Sequence, residues 1–163
     1  MTITLGWLVP LFAFTDNHSG ARSATQGIVL HSTRGGASTD EREFRATLNW
    51  FANPNSLSSA HAVISAAGQL AIVVPDELRA WHAQEMNDTW LGVELTQPKP
   101  GDVITKEQYK TLALWCQEMS ERYSFPLVPG VTLIEHKDTY QGKRQGRSDI
   151  GEPFDINVLI SLA

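Results

Sequence analysis

The chain has 163 residues, 42% hydrophobic and 19% charged, with a formal net charge of -5. That length suits one domain with a real core, and the composition excludes a disordered or fibrous chain. The acidic balance argues against an electrostatic grip on nucleic acid or an anionic membrane, and a single cysteine, Cys116, excludes an internal disulfide and cannot build a thiolate zinc site alone.

Ile3 to Phe14 is mostly apolar. No Lys or Arg precedes it, Pro10 interrupts it and no small-x-small cleavage site follows. It is too short to span a bilayer as a helix. It is therefore expected to belong to the folded domain, and the chain to carry no export signal of its own. Residues 16–26 are polar and turn-rich and read as a loop. Gly27-Ile28-Val29-Leu30 is a short apolar run that predicts a buried strand, with His31 at its end and the loop Ser32-Thr33-Arg34-Gly35-Gly36 beyond.

A helix is predicted from about Thr39 to Phe51, capped by Ser38 or Thr39, with Phe44, Leu48 and Phe51 on one face. Two strands near His61–Ser65 and Leu70–Val74 flank a turn at Ala67-Gly68-Gln69, and a further strand fits Leu91–Leu95. Thr105 and Gln108 have capping-box spacing ahead of a helix from about Lys106 to Tyr123. Tyr109, Leu112, Ala113, Cys116 and Met119 make its apolar stripe. Val131–Glu135 reads as a strand ending at His136, Lys143–Arg147 as a small basic loop, and Asp155–Leu162 as a final helix. Strands and helices alternate irregularly, so the expected class is α/β, a central mixed β-sheet flanked by about three helices, with residues 1–163 forming a single domain.

A zinc hydrolase needs three protein ligands and one open position for water. Of the five histidines, His31 and His136 each follow an apolar strand-like run. Were those strands neighbours, both rings would emerge at one edge of the sheet. Asp138, Asp149, Glu152 and Asp155 all qualify by composition as a third ligand. Glu94 lies within Leu91-Gly92-Val93-Glu94-Leu95, and a charge inside such a strand is costly unless paired or facing a wet cleft. Trp81-His82 could form a polar and aromatic wall of a cleft. Each of these groups alone also fits a purely structural role.

Several segments together resemble the type-2 N-acetylmuramoyl-L-alanine amidases, relatives of peptidoglycan recognition proteins and of phage endolysins. They are Ile28–Thr33, Ser59–Ile64, Arg79–Ala83, Leu91–Leu95, Glu135-His136 and Arg147–Gly151. They follow the family's order and run from roughly Trp7 to Asp155.

The resemblance implies a single zinc ion held by His31, His136 and Asp149, which selects Asp149 from the four acids. It implies that Glu94 is the general base and that Arg147 stabilises the oxyanion, where the family usually has lysine. Ala60 stands where other members carry a catalytic tyrosine, and Ile150 where proline is usual. His61, Trp81 and His82 match positions near the cleft and are taken as substrate-binding. The implied activity is hydrolysis of the amide between the lactyl group of N-acetylmuramic acid and L-alanine, as in cell-wall-degrading, bacteriolytic enzymes. The implied partner is peptidoglycan or a muropeptide, with no nucleic acid or membrane partner and a monomeric chain. A phage or prophage endolysin released from the host cytoplasm is the expected setting. A cytosolic enzyme recycling anhydro-muropeptides and a non-catalytic peptidoglycan-binding module are the alternatives.

Overall fold

The structure is a computed structural model that describes residues 9–163. In chain order its elements are strands β1 (Leu11–Phe12), β2 (His18–Ala21) and β3 (Gly27–Ser32), helix α1 (Asp40–Ala52), strands β4 (Ala62–Ile64), β5 (Leu70–Ile72), β6 (Leu78–Ala80) and β7 (Trp90–Leu95), helix α2 (Lys106–Tyr123), strand β8 (Leu133–Glu135), and helices α3 (Tyr140–Gln145) and α4 (Ile156–Ile160). Six strands form the central sheet in the order β1-β5-β4-β7-β3-β8. Only the β4–β5 hairpin is antiparallel within it. The expected mixed α/β sheet is observed.

Side chains alternate across a strand, and that alternation builds three layers. Ile28 and Leu30 of β3, Ala62 and Ile64 of β4, and Leu91, Val93 and Leu95 of β7 pack with Leu112, Trp115, Cys116 and Met119 of α2 and Leu159 of α4. Val63 and Ala71 point the other way, onto Phe44 and Phe51 of α1. Each fully buried Leu or Ile of this kind contributes about 1.5–3 kcal/mol. The same parity sends His31 of β3 and Glu94 of β7 to the α1 face, where they are register partners in adjacent parallel strands. β8 pairs with β3 on its other side, Leu30 opposite Glu135, so His31 and His136 follow equivalent positions of neighbouring strands.

The helices start where their caps predict. Thr39 caps α1 by accepting from the Arg42 N–H, and Thr105 and Gln108 form a reciprocal capping box on α2. Three expectations need correction. The predicted loop 16–26 contains β2, which pairs antiparallel with β6 in a separate two-stranded sheet. The basic loop is in part helix α3, closed by Gly146 in the left-handed conformation (φ 66°). The last helix is shorter than expected, with Asp155 as its cap.

Leu11 and Phe12, the end of the apolar N-terminal run, form an edge strand beside β5. Residues 3–8 of that run, Trp7 among them, lie outside the described residues. Among the described residues no helix is long and apolar enough to cross a membrane.

Candidate metal centre

The carboxyl-side ends of β3, β7 and β8 open into a cleft of about 890 Å³. His31, Glu94, His136 and Asp149 lie in its lining, with Glu43, Thr47 and Trp50 of α1 on one side and Gln145, Arg147 and Ser148 on the other. His31, His136 and Asp149 are all buried. Their ligand atoms fall within 4.8 Å of one another, and the two imidazole centroids are 4.4 Å apart.

Hydrogen bonds behind the rings determine which nitrogen each presents. Gln141 donates from its amide nitrogen to Gln145 (3.1 Å), so its Oε1 faces His136 and accepts from that ring's Nε2 (3.0 Å). On the other side the Trp90 carbonyl accepts from Nε2 of His82 (3.1 Å), which leaves Nδ1 of His82 to accept from Nε2 of His31 (3.1 Å). Burial, with His31 and His61 close by, pushes the His82 imidazole well below its ordinary value, so it is neutral as this arrangement requires.

With both Nε2–H groups engaged, Nδ1 of His31 and Nδ1 of His136 turn lone pairs toward Asp149 Oδ2, at 3.6 and 3.0 Å. Burial lowers the His31 pKa against the raising effect of Asp149. Burial alone would raise the Asp149 carboxyl, but a proton shared onto either facing Nδ1 in the metal-free protein would bond to it, and that hydrogen bonding and charge from His136 and His31 hold the carboxyl far below the carboxylate range. Two imidazole nitrogens and a carboxylate converging in a buried pocket are a donor set that a shared cation would satisfy. The outer hydrogen bonds to Gln141 and His82 are the kind that fix the tautomer of metal-ligating histidines. The residues therefore fit a divalent ion.

Glu94 stands beside this cluster. Its Oε2 is buried and takes no hydrogen bond from the described residues. Burial, reinforced by the negative charges of Asp149 and Glu43, raises its pKa to about 8, against the lowering effect of Arg147. Arg147 is exposed on the cleft rim, with its guanidinium directed to Gln145 Oε1 (3.2–3.3 Å).

His82 lines the cleft, but both its ring nitrogens are engaged within the protein. His61 and Trp81, expected at the substrate wall, are not among the cleft-lining residues. His61 is 1% exposed; its Nδ1 accepts from the Gly92 N–H, its Nε2 donates to the Leu78 carbonyl, and burial pushes its pKa down to about 4. The Trp81 indole N–H donates to Ser19 on β2. His61 is thus engaged on both ring nitrogens inside the fold, while Trp81 is half-buried beside β2. Sequence reading missed Gln141, whose only signal is its place in a short helix capped by Thr139. It also missed Glu43, a buried helix residue whose carboxylate accepts from the Gly35 and Ala37 N–H groups and shapes the loop after β3.

A cleft at the carboxyl ends of parallel strands, with a His–His–Asp cluster and a carboxyl group beside it, has the make-up of a metal-dependent hydrolase. The chain belongs to the N-acetylmuramoyl-L-alanine amidase family, which it matches over residues 21–151. It is 30% identical over 83 residues to N-acetylmuramoyl-L-alanine amidase A of Achromobacter lyticus, a match covering 50% of this chain and 43% of that protein. The matched segment is thus less than half of that relative's length. In fold the chain resembles a selenomethionine derivative of AmpD (TM-score 0.72, 22% identity, covering 100% of this chain and 99% of the other). It also resembles a mutant endolysin from Bacillus subtilis (TM-score 0.71, 16% identity, 96% and 99% covered). The Staphylococcus aureus hydrolase AmiA, solved with its ligand, shares the fold as well (TM-score 0.68, 16% identity, 94% and 80% covered).

Proposed function

We propose that this chain hydrolyses the amide between the lactyl group of N-acetylmuramic acid and the L-alanine of the stem peptide, using one zinc ion held by His31, His136 and Asp149. The observation that carries the reading is the convergence of two bare Nδ1 atoms and one carboxylate beside the orphaned Glu94 oxygen. Two imidazoles and a carboxylate suit zinc and leave a fourth position open. When bound, zinc supplies a Lewis acid that activates water and polarises the amide carbonyl.

The chain's own residues do the rest. Glu94 takes a proton from the attacking water and returns one to the leaving amine. Burial raises this carboxyl in the metal-free protein, and the charge of a bound cation would draw it back toward the ionised form that a base needs. Arg147, at the rim, places positive charge where the oxyanion develops. Gln141 and His82 keep the two rings oriented. The substrate is peptidoglycan or a muropeptide, and we take residues 1–163 as one catalytic domain acting as a monomer. We read it as an endolysin-type enzyme, because the loop His31–Gly36 resembles endolysin loops.

The test is incubation with purified sacculi and, separately, with soluble anhydro-muropeptide. A new amino-terminal alanine on the stem peptide, lost with a chelator, supports the amidase. A cut inside the peptide overturns it, and tight binding without cleavage favours a binding module. Preference for soluble anhydro-muropeptide over sacculi favours recycling over an endolysin role.

A further inference from the structure

Asp149 lies in no regular element, between α3 and α4. Its backbone is held from outside: its carbonyl accepts from the Lys137 N–H (2.8 Å), and the Gly151 N–H donates to Glu135 (2.8 Å). A further grip comes from 114 residues away in sequence. Arg34, in the loop after His31, donates from Nη2 to the Ser148 carbonyl (3.0 Å) and to the Ile150 carbonyl, the carbonyls of the residues just before and just after Asp149. Its Nη1 donates to the Ser148 hydroxyl, and its Nε to Gln97 Oε1 (3.4 Å).

Gln97, just past β7, is 1% exposed and is itself fixed by donating to the Asp102 carbonyl (2.9 Å). The Arg34 backbone adopts a left-handed φ of 51°, and its N–H donates to the Gln97 carbonyl (2.9 Å). A non-glycine residue is strained there and persists only where its surroundings impose it. Arg34 thus joins three segments that carry the site: the ends of β3 and β7 and the Asp149 loop. Most of its guanidinium N–H groups are directed to protein oxygens, so it is poorly placed to serve as a substrate contact although it lines the cleft.

We propose that Arg34 is the positioning residue for Asp149: by gripping the carbonyls on either side, it fixes that carboxylate against His31 and His136 and so sets the affinity of the centre for zinc. This rests on the metal reading above. A lysine cannot reproduce the planar fork. Removing an outer-shell partner typically lowers metal affinity by about 10–100-fold.

The experiment is zinc competition against a chromophoric chelator, on the full chain, for wild type, Arg34→Ala, Arg34→Lys, Asp149→Ala and the Arg34→Ala/Asp149→Ala double variant. Cobalt absorption serves as a second readout of ligand geometry. The expected result is about a 10–100-fold loss in Arg34→Ala, a smaller loss in Arg34→Lys and an altered cobalt spectrum in both. In the Asp149→Ala background, Arg34→Ala is expected to have no further effect, because its influence runs through that carboxylate. Equal losses in the two backgrounds, or wild-type affinity in Arg34→Ala, overturn the inference while leaving the metal reading intact. If Arg34→Ala does not fold, the same comparison is made with Arg34→Lys. A wild-type chain that takes up no zinc overturns both readings.

Discussion

Nε2 of His31 lies 3.1 Å from Nδ1 of His82, and this contact determines which nitrogen of His31 faces the cleft. His82 can accept there because its own Nε2–H is spent on the Trp90 carbonyl. His82→Ala frees His31 to adopt either tautomer, so zinc affinity is expected to fall by about 10–100-fold. His82→Asn, whose carbonyl oxygen can replace Nδ1 as acceptor, should recover part of the loss. Chelator competition measures both, and unchanged affinity in His82→Ala would show that His31 is oriented by something else.

Gly92 leaves room for that ring. A Cβ at this position would stand 2.5 Å from Cγ and Nδ1 of His82. Because His82 is held at both nitrogens, it cannot step aside without releasing His31. Gly92→Ala is expected to cost about 1–3 kcal/mol of stability, the range for an overpacked core. It should also weaken zinc binding, unlike an ordinary destabilising substitution far from the site. Urea unfolding and zinc competition on the same preparation check the pair of effects.

Glu94→Gln keeps the shape of the site and removes the proposed base. The expected drop in kcat is about 10²–10⁴-fold, with zinc content retained. The variant also tests the buried carboxyl directly in metal-free protein. Burial raises the folded-state pKa from 4.5 to about 8, so the contribution of this group to stability is fully present below 4.5 and is lost as pH rises through about 8. The melting temperature of metal-free Glu94→Gln should therefore gain on wild type as pH climbs through that window. Parallel curves across it would mean that the carboxyl is not buried in solution.

The resemblance puts Arg147 where the family usually has lysine, and the proposed mechanism gives it the oxyanion. Arg147→Lys is expected to leave activity unchanged or raise it. Arg147→Ala should lower kcat by about 10²–10³-fold, the scale of losing one oxyanion-stabilising donor. Steady-state kinetics on a soluble muropeptide separate the two outcomes. A large loss in Arg147→Lys would mean that another group holds the oxyanion.

The fold was legible in the sequence where local and long-range signals agree. The apolar runs of β3 and β7 and the capping box of α2 each announce their element, and their observed bounds lie within a residue or two of those predicted. β2 was not legible, because its residues are mostly exposed and it pairs with β6, some sixty positions away. Helix α3 is six residues long and carries Gly142 in its middle, normally a helix weakener. Gly142 is needed because a Cβ there would lie 1.9 Å from the His136 carbonyl oxygen. Of the site, the two histidines at strand ends could be read from the pattern alone, and Asp149 only through resemblance. Gln141 and Arg34 act through contacts that no local pattern encodes. His61 and Trp81, which the resemblance put near the cleft, are not among its lining residues: His61 is buried with both ring nitrogens engaged, and the half-buried Trp81 directs its indole N–H to Ser19 of β2.

The most direct measurement is to strip the protein with a chelator and titrate zinc back while following release of stem peptides with a new amino-terminal alanine. Release should be absent at the start, rise in proportion to added zinc, level off at one equivalent per chain, and fail to return in Asp149→Ala at the same zinc concentrations. Full release from the stripped protein, or a titration of Asp149→Ala that overlays wild type, would contradict a zinc centre built by His31, His136 and Asp149.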